Sequence, residues 1–126
     1  MTIASFNVLG KPRGCCLLVG IRGELDMATV PVFVEEVERS SNGFTRHIVV
    51  DAAELAFVDS SGLGAFVGVG KAMRDGLALA RASETIRRTV EISGFGELLP
   101  LLSSVPAARK YLHDRLNLSP LASSGS

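Results

Sequence analysis

The chain has 126 residues with 13 basic and 13 acidic side chains, so no basic field exists to attract nucleic acid or an anionic membrane. Apolar residues make up 47% of it, enough for the core of one ordinary domain, yet the apolar runs are too short and interrupted to span a membrane. The N-terminus lacks the basic start and apolar core of a secretory signal, and the two cysteines, read as reduced thiols, suggest a cytoplasmic protein.

Ile3 to Leu9 alternates, with Ser5 and Asn7 polar and Ala4, Phe6 and Val8 apolar, the pattern of a half-buried strand. Gly10-Lys11-Pro12-Arg13-Gly14 reads as a turn and Cys15 to Ile21 as a second strand, together a β-hairpin. Cys15 and Cys16 have no His or Cys at ligand spacing, so they read as reduced core thiols, not a zinc site or a bridge. Gly23-Glu24-Leu25-Asp26 is an acidic corner leading into a helix with Thr29 as N-cap. Val30, Phe33, Val34 and Val37 place one face of that helix in the core, and Ser40 to Gly43 carry residues suited to a left-handed C-cap.

His47 to Asp51 is β-branched and nearly continuous, as a central strand buried on both faces requires, with His47 expected at its surface end. Ala52 to Val58 reads as a connection anchored by Leu55 and Phe57. It delivers the chain to Phe57-Val58-Asp59-Ser60-Ser61-Gly62-Leu63-Gly64, where a helix begins with Ser60 or Ser61 expected at the N-cap. That helix runs to about Arg74 with Leu63, Phe66, Val67 and Met73 inward and Ala65, Val69 and Ala72 outward. Each interior glycine costs roughly 1 kcal/mol relative to alanine, so Gly64 and Gly68 stand there for close approach. Tight packing on the sheet is one reason and a partner protein laid across the exposed side is the other.

Leu77 to Arg81 forms a further strand, and Ser83 caps a helix with Ile86 and Val90 inward that Gly94 closes. Leu98 to Leu102 is a short strand that Pro100 places at an edge, and from Ser104 a terminal helix carries Ala108, Tyr111, Leu112 and Leu116. The reading is a single α/β domain over residues 1–117, with a four- to five-stranded, largely parallel sheet, a hairpin start and about four helices. Residues 118–126 form a polar tail expected to be disordered.

Enzymatic chemistry finds little footing. His47 and His113 are the only histidines, and neither can be linked to Ser60. Gly62-Leu63-Gly64 and Gly68-Val69-Gly70 complete no nucleotide-binding fingerprint. Asp26, Asp51 and Asp59 each follow or end a strand and are expected at one end of the sheet, with Asp51 a turn residue. Neither a metal site nor a cofactor is expected.

Gly23-Glu24-Leu25-Asp26, the strand His47 to Asp51, and Phe57-Val58-Asp59-Ser60-Ser61-Gly62-Leu63-Gly64 together resemble the STAS family, more narrowly its bacterial anti-sigma factor antagonists. Ile92-Ser93-Gly94-Phe95 stands where that family has a similar helix-ending Ser-Gly. Either leading motif alone is modest; the pair at this spacing is specific, over roughly Ile3 to Leu116. The resemblance implies a phosphorylation switch at Ser60, the serine directly after the aspartate. It also implies an anti-sigma factor with serine kinase activity as partner, and a phosphatase that restores binding. Asp26, Asp59, Ser60, Ser61, Gly62 and Leu63 would form the contact surface, with Ala65 and Val69 beside them. The chain would then be substrate and ligand, not enzyme. A STAS module of another assembly (a stressosome or a transporter complex), a small nucleotide-binding or hydrolytic protein and an unphosphorylated interaction domain are the alternatives.

Overall fold

In the computed structural model, which describes residues 6–117, the chain opens as an antiparallel hairpin. β1 (Asn7–Arg13) pairs with β2 (Cys16–Leu25), Asn7 lying opposite Arg22 and Arg13 opposite Cys16. Gly14, at φ +62, takes the first of two turn positions, where the twist of a hairpin favours glycine. β1 therefore runs through Gly10, Lys11 and Pro12, which the sequence assigned to the turn. Pro12 is tolerated because β1 is an edge strand, and the Gly10 N–H donates to Glu36 Oε2 at 2.8 Å. Ile3 to Ser5 of the expected strand lie outside the described residues, whereas Phe6 and Val8 pack against the core.

β2 extends past Ile21 through Gly23 and Glu24, with register shifts between Gly20 and Arg22 and between Gly23 and Glu24. Cys15 falls in the turn, so the two free cysteines are not strand neighbours. α1 (Val30–Ser40) buries Phe33 and Val37, as its spacing predicts. Its end differs from expectation. Ser41 is extended rather than left-handed, and its N–H and hydroxyl both donate to Val37 O, at 3.0 and 2.7 Å.

β3 (His47–Val58) is 12 residues long, taking in the whole stretch expected as a connection. Those residues stay extended because β2 pairs with them as far as Leu25 opposite Val58. Leu55 is buried as expected, but Phe57 is exposed and Val58 takes the inward place. His47 is buried, only 3% exposed, rather than at the surface. α2 (Ser60–Ala72), β4 (Leu77–Ala80), α3 (Glu84–Ser93), β5 (Leu101–Leu102) and α4 (Val105–Asn117) complete the chain. Ser83 and Gly94 cap α3 as the sequence predicts.

The sheet has five strands in the order β1-β2-β3-β4-β5, parallel except for β1, and four helices accompany it among the described residues. This is the single α/β domain the patterning predicts. Strand alternation divides the interior. Leu17, Val19, Ile48, Val50 and Leu79 meet Phe33, Leu63, Phe66, Ile86 and Val90 from α1, α2 and α3, with Phe33 and Phe66 edge-to-face at 5.3 Å between centroids. On the other face Cys16, Val49, Ala78 and Ala80 meet Ala108 and Leu112 of α4. Tyr111, expected among these, is exposed. The Leu116 side chain and the tail 118–126 lie outside the described residues.

Candidate functional site

The site is built where β3 stops. Val58 is the last inward residue of the strand, and the Asp59 N–H still donates to Leu25 O at 3.2 Å, which ties the end of β3 to the end of β2. Asp59 itself is the N-cap of α2. Its backbone is extended and its Oδ1 accepts the Gly62 N–H at 2.9 Å, satisfying one of the donors a helix start leaves free. The cap expected at Ser60 or Ser61 thus stands one or two residues earlier. Carboxylate and hydroxyl compete for the same amide, and the carboxylate carries the charge that the helix dipole favours.

That assignment changes what Ser60 and Ser61 are for. They occupy the first two helical positions, both are exposed, and among the described residues neither hydroxyl makes a hydrogen bond. Gly62 is fixed by space: a Cβ there would come within 2.6 Å of Leu25 O and 2.7 Å of Val58 Cγ2. Leu63 is buried in the core and anchors the turn from below. Gly62 and Leu63 thus shape this surface from beneath it.

A second turn stands beside the first, because Leu25 both accepts from Asp59 and precedes Asp26. Asp26 Oδ1 accepts the N–H groups of Ala28 and Thr29 at 3.0 and 3.1 Å. Thr29, the expected capping side chain of α1, donates instead to Glu24 O at 2.8 Å and accepts from the Asp26 N–H. Met27 projects from this turn, 75% exposed, a feature that sequence reasoning missed. Its only signal was an apolar residue immediately after an acidic corner. Asp51 does not join the cluster. It lies within β3, held in a two-point ion pair by Arg81 at 3.0 and 2.7 Å, and that guanidinium keeps its carboxyl below the usual range.

Along α2 the outward face is the expected one only at Ala72, which is exposed. Ala65 and Val69 are partly buried against the core. Gly64 and Gly68 are the exposed positions, and a Cβ at either would meet nothing within 4 Å. Sheet packing therefore explains Gly62 and Gly70, where an added Cβ would lie 3.3 Å from Leu77 Cβ, and leaves Gly64 and Gly68 without a reason inside the chain.

Two titratable groups away from this turn are shifted chiefly by burial. Burial lowers the basicity of His47, and His113 and Arg109 nearby act the same way. Burial raises the Cys16 thiol above its ordinary range, with Arg109 only partly opposing it, which leaves little reactive thiolate. No cluster of His, Cys, Asp or Glu suited to a metal occurs among the described residues, and no described helix is long and apolar enough to cross a membrane.

A parallel sheet with a hairpin start, ending its central strand in a capped Asp-Ser-Ser-Gly turn, defines a class, and the chain belongs to the STAS domain family, whose pattern matches residues 8–108. Its relatives narrow the class. The anti-sigma-B factor antagonist of Staphylococcus aureus (strain NCTC 8325 / PS 47) is 37% identical over 84 residues, covering 64% of this chain and 78% of that protein. The Staphylococcus epidermidis anti-sigma-B factor antagonist is 36% identical over the same coverage. Among solved structures, an anti-sigma factor antagonist from Mycobacterium paratuberculosis superposes with a TM-score of 0.75 at 21% identity, over 87% of this chain and 96% of the other. The anti-sigma factor antagonist SpoIIAA in its unphosphorylated form follows at 0.68 and 22%, over 87% and 97%.

Proposed function

We propose that this chain is an anti-sigma factor antagonist switched at Ser60. In its unphosphorylated form it binds an anti-sigma factor and frees the sigma factor. The anti-sigma factor is also the kinase that phosphorylates Ser60, and a phosphatase reverses the mark. The observation that carries this reading is the exposed, unbonded Ser60 hydroxyl at the first turn of a helix whose cap is supplied by Asp59. A kinase can take that hydroxyl without dismantling any interaction of the fold.

The energetics fit a switch that acts on binding and spares the fold. A phosphate adds about −1.5 to −2 charge and three acceptor oxygens. At a helix N-terminus that charge is favoured by about 0.3–1 kcal/mol. A partner covering the same surface must strip water from the phosphate, and Asp26 and Asp59 beside it add like charge. Gly64 and Gly68 support the same surface, since exposed helical glycines let a foreign backbone approach where alanine would hold it off. The partner therefore sits over Asp26, Met27, Asp59, Ser60, Ser61, Gly64 and Gly68, with Ala65 and Val69 at its margin.

Paired Ser60→Ala and Ser60→Asp baits, exposed to the lysate of the source cell, test this. The Ala form should retain an anti-sigma kinase that the Asp form loses. Equal capture, or capture of components of another assembly, would sink the sigma-factor reading.

A further inference from the structure

Two stripes of side chains are left without partners, and they match one another. On β1, Val8 and Gly10 face α1: Val8 packs into that core, and a Cβ at Gly10 would meet the Ser40 side chain. Alternation therefore turns Leu9, Lys11 and Arg13 to the opposite face, the one α4 shares. Leu9 is 51% exposed, Lys11 and Arg13 are exposed, and neither cation makes an ion pair among the described residues. On the outward side of α1, Val32 (49% exposed), Glu35 and Glu38 recur every three residues. Neither of these carboxylates makes an ion pair among the described residues; Arg39 is engaged by Glu36 at 2.7 Å.

One stripe reads apolar, base, base and the other apolar, acid, acid. Helical rise puts Val32 and Glu38 about 9 Å apart, and strand rise puts Leu9 and Arg13 about 13 Å apart, a difference that long Lys and Arg side chains span. The stripes lie on opposite faces of the same sheet margin, so one chain cannot close them on itself. A second copy can. We infer that copies of this chain associate head to tail, the α1 stripe of one seated on the β1 stripe of the next, with Val32 over Leu9 and Glu35 and Glu38 beside Lys11 and Arg13. Charge complementarity selects this occupant: the chain has no net charge, yet it places unpaired acid and unpaired base on two separate surfaces, each beside an exposed apolar side chain. Because the contact joins unlike surfaces, a pair keeps one free stripe of each kind and the assembly grows past two. Neither stripe includes Asp59, Ser60 or any residue of α2, so the inference stands apart from the proposed switch.

Sedimentation of the full chain over a concentration series tests it, at about 50 mM and about 500 mM salt, where screening goes from weak to strong. At low salt the average mass should climb with concentration, and at high salt it should return to that of one chain. The double variants Lys11→Glu/Arg13→Glu and Glu35→Lys/Glu38→Lys should each stay single. Mixed in equal amounts they should associate again, because every interface in an alternating assembly is then complementary. A wild-type chain that remains single at low salt, double variants that associate like it, or a mixture that does not recover would each overturn the inference. In those cases the stripes are solvated surface or serve an unrelated partner.

Discussion

The four glycines of α2 face opposite demands. Gly62→Ala forces a Cβ against Leu25 O and Val58, and overpacking of that kind costs about 1–3 kcal/mol. Gly64→Ala and Gly68→Ala place a methyl in open space and should each stabilise the helix by about 1 kcal/mol. Urea unfolding of the three variants separates the cases; a loss at Gly64 or Gly68 equal to that at Gly62 would mean that these positions are packed after all. If the proposed partner covers this face, the two stabilised variants should bind it less well. The cap makes a second contrast. Asp59→Ala removes the acceptor for Gly62 N–H and should cost about 1 kcal/mol, whereas Ser60→Ala should change stability by less than about 0.5 kcal/mol. Equal losses in chemical denaturation would contradict the assignment of the cap to Asp59.

At the scale of elements, α4 is held differently from the other helices. Its buried partners on the sheet are Cys16, Val49, Ala78 and Ala80, small side chains that offer little apolar area, and His47 lies in the same layer with Nδ1 lacking a hydrogen-bond partner. Burial, with the nearby His113 and Arg109, holds the His47 pKa below the ordinary 6.5. On descending pH the unfolded chain thus takes up its proton first, so the stabilisation is complete above about pH 6.5 and is lost as pH falls from there through the folded value. The urea midpoint should drop between pH 7.5 and pH 5.5, and His47→Gln should remove part of that drop. An identical drop in both proteins would show that other groups carry it. Amide exchange in α4 should quicken first, since this thin layer opens before the larger core.

For the whole molecule, stability rests on the face where α1, α2 and α3 meet the sheet. Phe66 is fully buried and meets Phe33 edge-on, so Phe66→Ala should cost about 3–5 kcal/mol, read from equilibrium unfolding; a cost below about 1 kcal/mol would mean that the layers close over the gap. The margin of the sheet is guarded as well. Glu36 accepts the Gly10 N–H and Pro12 offers none, which blunts β1 as a template for edge pairing. Arg39, the Gly10 N–H and Ser40 hold the Glu36 carboxyl at about 2. A depressed carboxylate stabilises the fold above its ordinary pKa of about 4.5 and loses that contribution as pH falls toward 2. Glu36→Gln should therefore flatten the acid limb of the stability profile, and an unaltered limb would assign the loss to the other paired carboxylates, Asp51 with Arg81 and Asp114 with Lys110.

Much of this was legible in the chain itself, for local reasons. Apolar spacing placed α1, α3 and the buried heart of β3; Ser83 and Gly94 marked the ends of α3; and the Asp-Ser-Ser-Gly turn marked the start of α2, because capping and periodicity are properties of neighbouring residues. What stayed hidden depended on distant partners. The outer half of β3 is a strand because β2 runs beside it, and β1 passes through Gly10 and Pro12 because Glu36 and Ser40 of α1 receive it. The competition between Asp59 and the serines for one amide was settled by the strand that delivers Asp59 to Leu25 O. Likewise His47 is buried because a helix far along the chain lies over it, and Phe57 is exposed because Val58 holds the inward register. Sequence by itself determined the element order and the turn that carries Ser60, since both rest on contacts within a few residues, and the alternation of strands with helices then implied a parallel sheet. Only the tertiary structure decided which glycines are packed and which are open, and which hydroxyl is free, because those are questions of what stands across the gap.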